Sequence, residues 1–243
     1  MMASLYCGSF ALCISMLASQ FIFRYIAVCK PQKLYWFDGL KIYLLFIPPT
    51  TLFLIWTLSI YFNFHSDQVK KCFFRALAWD LYGENIDEIA FMGPLYFVRD
   101  PKNNGVIYRF YDLLGMIISC TIMTICLVTC FICASKTYRK LNDTTIHTSA
   151  RTRSLNKQLF WTLGLQTLLP LITQYIPVGT MFIVPLFELE FGRMGNFVGA
   201  FCSLYPAMDP IIAMITIEEF RKFVLRKGSG NVLKLSTVNA TTL

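Results

Sequence analysis

A chain of 243 residues has room for one or two soluble domains, but this one is 56% hydrophobic, has a mean hydropathy of +0.54 and carries only 15% charged residues. Soluble domains carry about 25% charge, so this much apolar surface asks for lipid rather than water. The net charge of +8 raises nucleic acid as a partner, yet the way the charge is distributed excludes it.

Five apolar stretches are each long enough to cross a hydrocarbon core about 30 Å thick, which takes ~20 helical residues. They are 3–29, 42–62, 111–135, 159–185 and 196–217. None alternates with period two, so a β-barrel is excluded. A helix apolar on all sides is a membrane span or the core of a large protein. The first stretch has no basic residue ahead of it, and Arg24, Lys30 and Lys33 follow it. That order reads as an uncleaved anchor with its N-terminus outside. Lys41, Lys136, Arg139, Lys140, Arg151, Arg153, Lys157, Arg221, Lys222, Arg226, Lys227 and Lys234 then fall inside as well. The positive charge is thus a feature of topology and of contact with anionic inner-leaflet lipid. The sequons at Asn142 and Asn239 also fall inside and are expected to stay unglycosylated.

The outer segment 63–110 is long for a structureless loop, and such loops are usually functional. It holds an amphipathic stretch (69–81) and a turn signal, Pro101-Lys102-Asn103-Asn104-Gly105. Part of it is expected to fold over the helix bundle. The inner segment 136–157 reads as a polar, basic loop. Residues 218–227 suit a short amphipathic helix on the inner surface, and the Ser/Thr/Asn-rich tail 228–243 reads as disordered.

All the cysteines except Cys72 lie in or at the ends of the apolar runs. The helical spacing of Cys126, Cys130 and Cys133 reads as small side chains packing between helices. No Cys pair sits beside a His, so no metal site is expected. The histidines, His65 and His147, fall on opposite sides of the membrane. There is no zinc-protease, serine-hydrolase or phosphate-loop motif. An enzyme is not expected, nor is a cofactor. No internal repeat appears, which weighs against a transporter.

Arg24, Asp112 and Asp209 are ionisable residues in or near the spans, where charge is costly. Arg24 and Asp112 sit near span ends, within reach of water. Asp209 is deeper, between Pro206 and Pro210, where two prolines remove helical hydrogen bonds and a carboxylate offers acceptors beside the broken ladder. A kinked, polar hinge is expected there. In the fourth span Gln166, Pro170, Thr173, Gln174 and Pro177 share one helix face, and Pro170 and Pro177 are expected to bend it. That face points to other helices or to a cavity.

Several segments carry a family resemblance. The first span ends Gln20-Phe21-Ile22-Phe23-Arg24-Tyr25-Ile26-Ala27-Val28-Cys29-Lys30-Pro31 and is similar to the third helix of nematode seven-helix chemoreceptors of the Str type, resembling the diacetyl odorant receptor family. Glu84-Asn85-Ile86-Asp87-Glu88-Ile89-Ala90 resembles the acidic segment of that family's second outer loop. Gln166-Thr167-Leu168-Leu169-Pro170-Leu171 with Tyr175-Ile176-Pro177-Val178 resembles its sixth helix. Tyr205-Pro206-Ala207-Met208-Asp209-Pro210, followed by Phe220-Arg221-Lys222, resembles its seventh helix and the helix after it.

The resemblance implies an all-α membrane protein. Its five transmembrane helices correspond to helices three to seven of a G-protein-coupled receptor, followed by a short amphipathic helix. It implies a chemosensory, olfactory receptor in the plasma membrane of sensory neurons, often in cilia. The implied partners are a small odorant or other chemical, a heterotrimeric G protein and membrane lipid, with no nucleic acid. It places G-protein coupling at Arg24, Tyr25, Arg139 and Lys140, and a switch hinge at Pro170, Pro177, Pro206, Asp209 and Pro210. Ligand contacts are expected from Ser15, Asp112, Thr173, Gln174, Cys202 and Tyr205 in the outer half of the bundle. Phe23 stands where such receptors carry an acidic residue, so the usual lock on Arg24 is absent. Ala213 stands where a Tyr follows the hinge proline.

Helices one and two have no counterpart, which implies an N-terminally truncated receptor. The alternatives are a non-signalling product of a chemoreceptor gene and, further off, a small transporter or channel subunit. The resemblance also makes Cys72 a loop partner for a disulfide. Cys7 lies about 26 Å along the helix from Arg24 at 1.5 Å per residue, too deep to be its mate.

Overall fold

Every one of the long apolar stretches is helical in the computed structural model, which describes residues 1–37, 39–99, 105–142, 160–162, 164–165, 167–187, 192 and 194–216. Helix α1 is Met2–Cys29. Two tight 3-10 turns, Pro31–Phe37 and Gly39–Phe46, lead into α2, Ile47–Asn63. Helix α3 is Gln68–Tyr82. Strands β1 (Phe97–Arg99) and β2 (Val106–Tyr108) follow, then α4, Phe110–Asn142. Helix α5 runs over Phe160–Phe187 and α6 over Met194–Thr216. Four segments are long and apolar enough to cross a membrane: Met2–Cys29, Gly39–Asn63, Phe110–Leu141 and Phe160–Phe187. With α6 helical over 23 residues, the chain is a mostly helical, multi-pass membrane protein.

The burial pattern follows helical period. On α1, Phe10, Ala11, Ile14, Leu17, Ala18 and Phe21 form one stripe, and on α4 Ile122, Met123, Cys126, Cys130 and Cys133 form another. With Trp56 and Ile60 of α2, these stripes make a single core. The three cysteines of α4 are therefore packing residues. Opposite faces are just as apolar but bare: Phe131 is 73% exposed and Ile215 61%. Apolar side chains that open to their surroundings belong against lipid.

Two glycines bring helices together. A Cβ on Gly115 of α4 would lie 2.8 Å from Asn63 Cβ and 2.9 Å from Phe64 Cε1. A Cβ on Gly8 of α1 would collide with Thr57 and approach Phe53 to 3.0 Å on α2. Close backbone approach through small residues is how membrane helices pack without a hydrophobic driving force between them.

The contacts alternate the helices. The end of α1 meets the end of α4, where the Cys29 thiol reaches the Lys136 carbonyl at 3.7 Å. The start of α4 meets the end of α2 at Gly115 and Asn63. One end of the bundle therefore carries α3 and the β-hairpin, and the other carries the cations.

Two expectations change. Helix α4 continues to Asn142, so Lys136, Arg139 and Lys140 are helical rather than loop residues. A helix does not stop where its apolar run stops, and cations near a C-terminus favour its last turns. The all-helical expectation also gains a short antiparallel hairpin, in which Phe97 pairs with Tyr108 and Arg99 with Val106. The turn signal at 101–105 lies between its strands; 101–104 themselves are outside the described residues, as are the rest of the basic loop, the stretch 218–227 and the tail.

Candidate functional site

The segment between α2 and α4 is held down by charge. Asp67 caps α3, its Oδ1 accepting from the Lys70 backbone N–H at 2.8 Å. One turn on, Lys70 points inward and is fully buried. Its Nζ meets Asp112 Oδ1 at 2.6 Å and donates to the His65 carbonyl at 3.2 Å. The other Asp112 oxygen accepts from Arg109 Nε at 2.9 Å, and Arg109 also binds Asp67. The Leu95 backbone N–H adds a further bond to Asp112 at 3.3 Å. Two carboxylates and two cations thus close a neutral ring. Burying an isolated charge is prohibitive, whereas a paired and hydrogen-bonded one is tolerated. Burial acts to raise the Asp67 pKa, but the Arg109 hydrogen bond and the Lys70 N–H outweigh it and hold the carboxyl below its ordinary value. Burial likewise opposes the charge on Arg109, and its two carboxylate partners reverse that, raising its pKa.

Asp112 is therefore not a snorkelling residue near water. It is buried, both of its oxygens are occupied, and it sits in the first turn of α4, where a carboxylate favours the helix dipole. Nor is it free to meet a ligand, as expected from the sequence.

The latch sets Tyr96 over the bundle. Tyr96 is 1% exposed, and its hydroxyl donates to the Phe182 carbonyl on α5 at 3.0 Å. Burial above all raises its pKa, so it remains a donor. Below lies an aromatic cluster. Phe10 faces Trp56 at 5.5 Å and Tyr175 at 6.3 Å between ring centroids. Phe182 faces Trp56 at 6.3 Å and Phe64 at 6.1 Å. Helices α1, α2 and α5 and the latched segment meet at these rings.

The polar floor of the cluster comes from α5. Between Pro170 and Pro177 the helix widens to a π-turn over Leu171–Tyr175. Proline disrupts the ordinary hydrogen-bond ladder, and π-turns of this kind frequently mark functional sites. The expected bend is thus a change in helical pitch. Thr173 and Gln174 lie within it and are buried. Thr173 donates back to the Leu169 carbonyl at 2.9 Å. Gln174 Nε2 donates to the Cys202 carbonyl on α6 at 3.3 Å. Gln174 Oε1 and Trp56 Nε1 are buried with no hydrogen-bond partner among the described residues.

The remaining sequence candidates divide. Ser15 is buried on α1 and donates to the Ala11 carbonyl at 2.6 Å. Cys202 is half-buried beside the core. On α6, helix continues through Pro206 and Pro210; the side chains of Tyr205, Pro206 and Asp209 are outside the described residues, as is Gln166. At the basic end, Lys30 and Lys136 each lie 5.8 Å from the Tyr25 ring centroid. Arg24 is half-buried on α1 and has no ion-pair partner among the described residues. Arg139 and Lys140 are exposed in the last turn of α4. All nine cysteines are free thiols, and Cys72 is exposed.

Residues 1–225 match the family described as serpentine type 7TM GPCR chemoreceptor Str. The chain belongs to that family. It is a chemosensory receptor of the G-protein-coupled type, in a family of receptors and not of enzymes. Among its relatives is serpentine receptor class r-10 of Caenorhabditis elegans, 31% identical over 99% of this chain and 70% of that protein. Serpentine receptor class r-10 of Caenorhabditis briggsae is 32% identical over 98% and 71%. The G-protein coupled receptor str-33 of Caenorhabditis elegans is 25% identical over 91% of this chain and 64% of its own length. No solved structure matches.

Sequence reasoning missed the latch and the aromatic cluster. One signal was present: Lys70 falls on the same helical stripe as Phe74, Leu77, Ala78 and Leu81, the inward face of α3. A lone lysine on an apolar stripe asks for a buried carboxylate.

Proposed function

We propose that this receptor binds a small chemical in the aromatic cluster beneath Tyr96 and passes the change to a heterotrimeric G protein at its basic end. The observation that carries this is the π-turn of α5. It places Gln174 in the cluster while the same helix accepts the roof's hydrogen bond at Phe182 and contacts α6 at Cys202. A ligand that favours one packing of α5 against α6 shifts the receptor between two states.

In this reading the chain's five spans act as helices three to seven of the seven-helix plan, with residues 1–227 as the receptor bundle. The latched end faces outside and the basic end the cytoplasm, in agreement with the charge bias. The setting is the plasma membrane of sensory neurons, with cilia as the site of detection. Thr173, Gln174, Cys202, Ser15 and Tyr205 belong to the ligand side. Pro170, Pro177, Pro206, Asp209 and Pro210 belong to the moving segments. Arg24, Tyr25, Arg139 and Lys140 form the G-protein surface. Asp112 moves from ligand contact to the latch.

The test is Arg24→Ala in the full-length receptor, expressed in cells with a calcium readout. Surface expression is expected to be unchanged and ligand-evoked signalling lost. Signalling at the parent level would remove Arg24 from the coupling surface. Ligand-evoked uptake or current without any G-protein dependence would favour a transporter or channel instead.

A further inference from the structure

A buried donor and a buried acceptor define what the proposed site would take. Trp56 is 1% exposed on α2, walled by Phe10 on α1 and Phe182 on α5. Its indole N–H has no acceptor among the described residues. Indole N–H groups in protein interiors nearly always find one, so an acceptor is missing from the chain's own inventory. Gln174, also 1% exposed, has its amide N–H committed to Cys202 and its Oε1 unpaired. Phe10 bridges the two places, contacting Trp56 and, at 6.3 Å, Tyr175 beside Gln174.

The charges above offer nothing to a ligand. Lys70, Arg109, Asp67 and Asp112 satisfy one another, and the Lys70 ammonium stacks at 5.9 Å from the Phe64 ring. A carboxylate or an ammonium entering the cluster would lose its hydration with no free counter-charge to replace it.

Resting on the site proposed above, we infer that the ligand is a small uncharged molecule bearing a hydrogen-bond acceptor, taken by the Trp56 indole N–H, with Gln174 Oε1 receiving a donor where the molecule has one. Aromatic walls with a few convergent polar groups are the ordinary form of such sites. Acceptor-only molecules use Trp56 alone, and hydroxylated ones use both residues.

The experiment measures thermal stabilisation of the full chain in lipid nanodiscs by size-matched probes: a ketone, an alcohol, an alkane, a carboxylate and an alkylammonium. The ketone and alcohol are expected to stabilise most, the alkane less, and the charged pair not at all. Trp56→Phe keeps a ring but removes the N–H, and should weaken the ketone about tenfold, to the level of the alkane. Gln174→Met should weaken the alcohol selectively and leave the ketone in place, which a general loss of packing would not do. The inference is overturned if the charged probes stabilise as well as the ketone, if no uncharged probe stabilises, or if the ketone keeps its advantage in Trp56→Phe. Calcium signalling measured in parallel separates the two proposals. Probe binding without signalling removes the coupling step alone, while signalling that survives Trp56→Phe unchanged removes this assignment alone.

Discussion

The two ends of this bundle treat charge in opposite ways. At the end bearing α3 and the hairpin, Asp67, Lys70, Arg109 and Asp112 close on one another, and Lys70 and Asp112 are withdrawn from solvent altogether. At the other end Lys30 and Lys136 rest near the Tyr25 ring, Arg139 and Lys140 are exposed, and Arg24 has no carboxylate partner among the described residues. A charge that is fully paired inside the chain fixes structure. A charge left unpaired at a helix end is available to something else. The first end therefore reads as the part that holds the site together, and the second as the part that meets a partner.

Breaking the latch tests this most severely. Asp112→Leu leaves Lys70 buried without its counter-ion, and removal of one partner from a buried pair costs about 3–5 kcal/mol. Thermal unfolding of the receptor in detergent should show that loss, together with faster proteolysis between residues 63 and 110. Adding Lys70→Met to Asp112→Leu should restore part of the stability, because two apolar residues of similar volume replace the pair. A double variant no better than Asp112→Leu alone would show that Lys70 and Asp112 are not coupled. Substitutions at Arg139 and Lys140, at the opposite end, should leave stability within about 0.5 kcal/mol.

How much of this was legible beforehand follows from which interactions are local. Length and apolar content placed the spans, because helical hydrogen bonds are satisfied within each segment. The paired prolines of α5 marked an irregular helix correctly, though a π-turn and a simple bend leave the same trace in sequence. The latch was not legible in full. Lys70 and Asp112 are 42 positions apart, and only the packing of α3 onto α4 brings them into contact. Asp112, read alone at a span end, has the same appearance whether it faces water or a buried lysine. The aromatic cluster was hidden for the opposite reason. Among 22 phenylalanines and 4 tryptophans, nothing in the sequence sets Phe10, Trp56 and Phe182 apart from those facing lipid.

A smaller effect is expected from packing at the latched end. Gly115 lets α4 press against Asn63 and Phe64, and Phe64 in turn faces both Phe182 and the Lys70 ammonium. Gly115→Ala puts a methyl group where two heavy atoms already stand within 3 Å. Overpacking of that kind costs about 1–3 kcal/mol, read as a lower unfolding temperature in detergent. Gly199→Ala on α6 is the control, since a Cβ there meets nothing within 4 Å. Equal losses at both positions would mean that helix propensity, not close approach, governs the result.

The smallest effect should come from pH. Asp67 titrates below its ordinary value of 3.8 in the folded chain, so its contribution is complete above that value and lost as pH falls through the lower folded one. Arg109 is shifted upward, so its contribution is complete below the ordinary guanidinium range and lost only at pH above it. Neither window touches neutrality. Protection of the α3 amides from hydrogen exchange should therefore be flat between about pH 5 and 9 once the intrinsic exchange rate is divided out, and should fall only below about pH 4. Asp67→Asn removes the low-pH loss by removing the titrating group, while its side-chain oxygen still caps Lys70 N–H. A pH dependence near neutrality that survives Asp67→Asn would assign it to His65, whose ring bonds the Phe62 carbonyl at 2.8 Å beside the latch, and would make this end of the receptor a proton-responsive element rather than a fixed clamp.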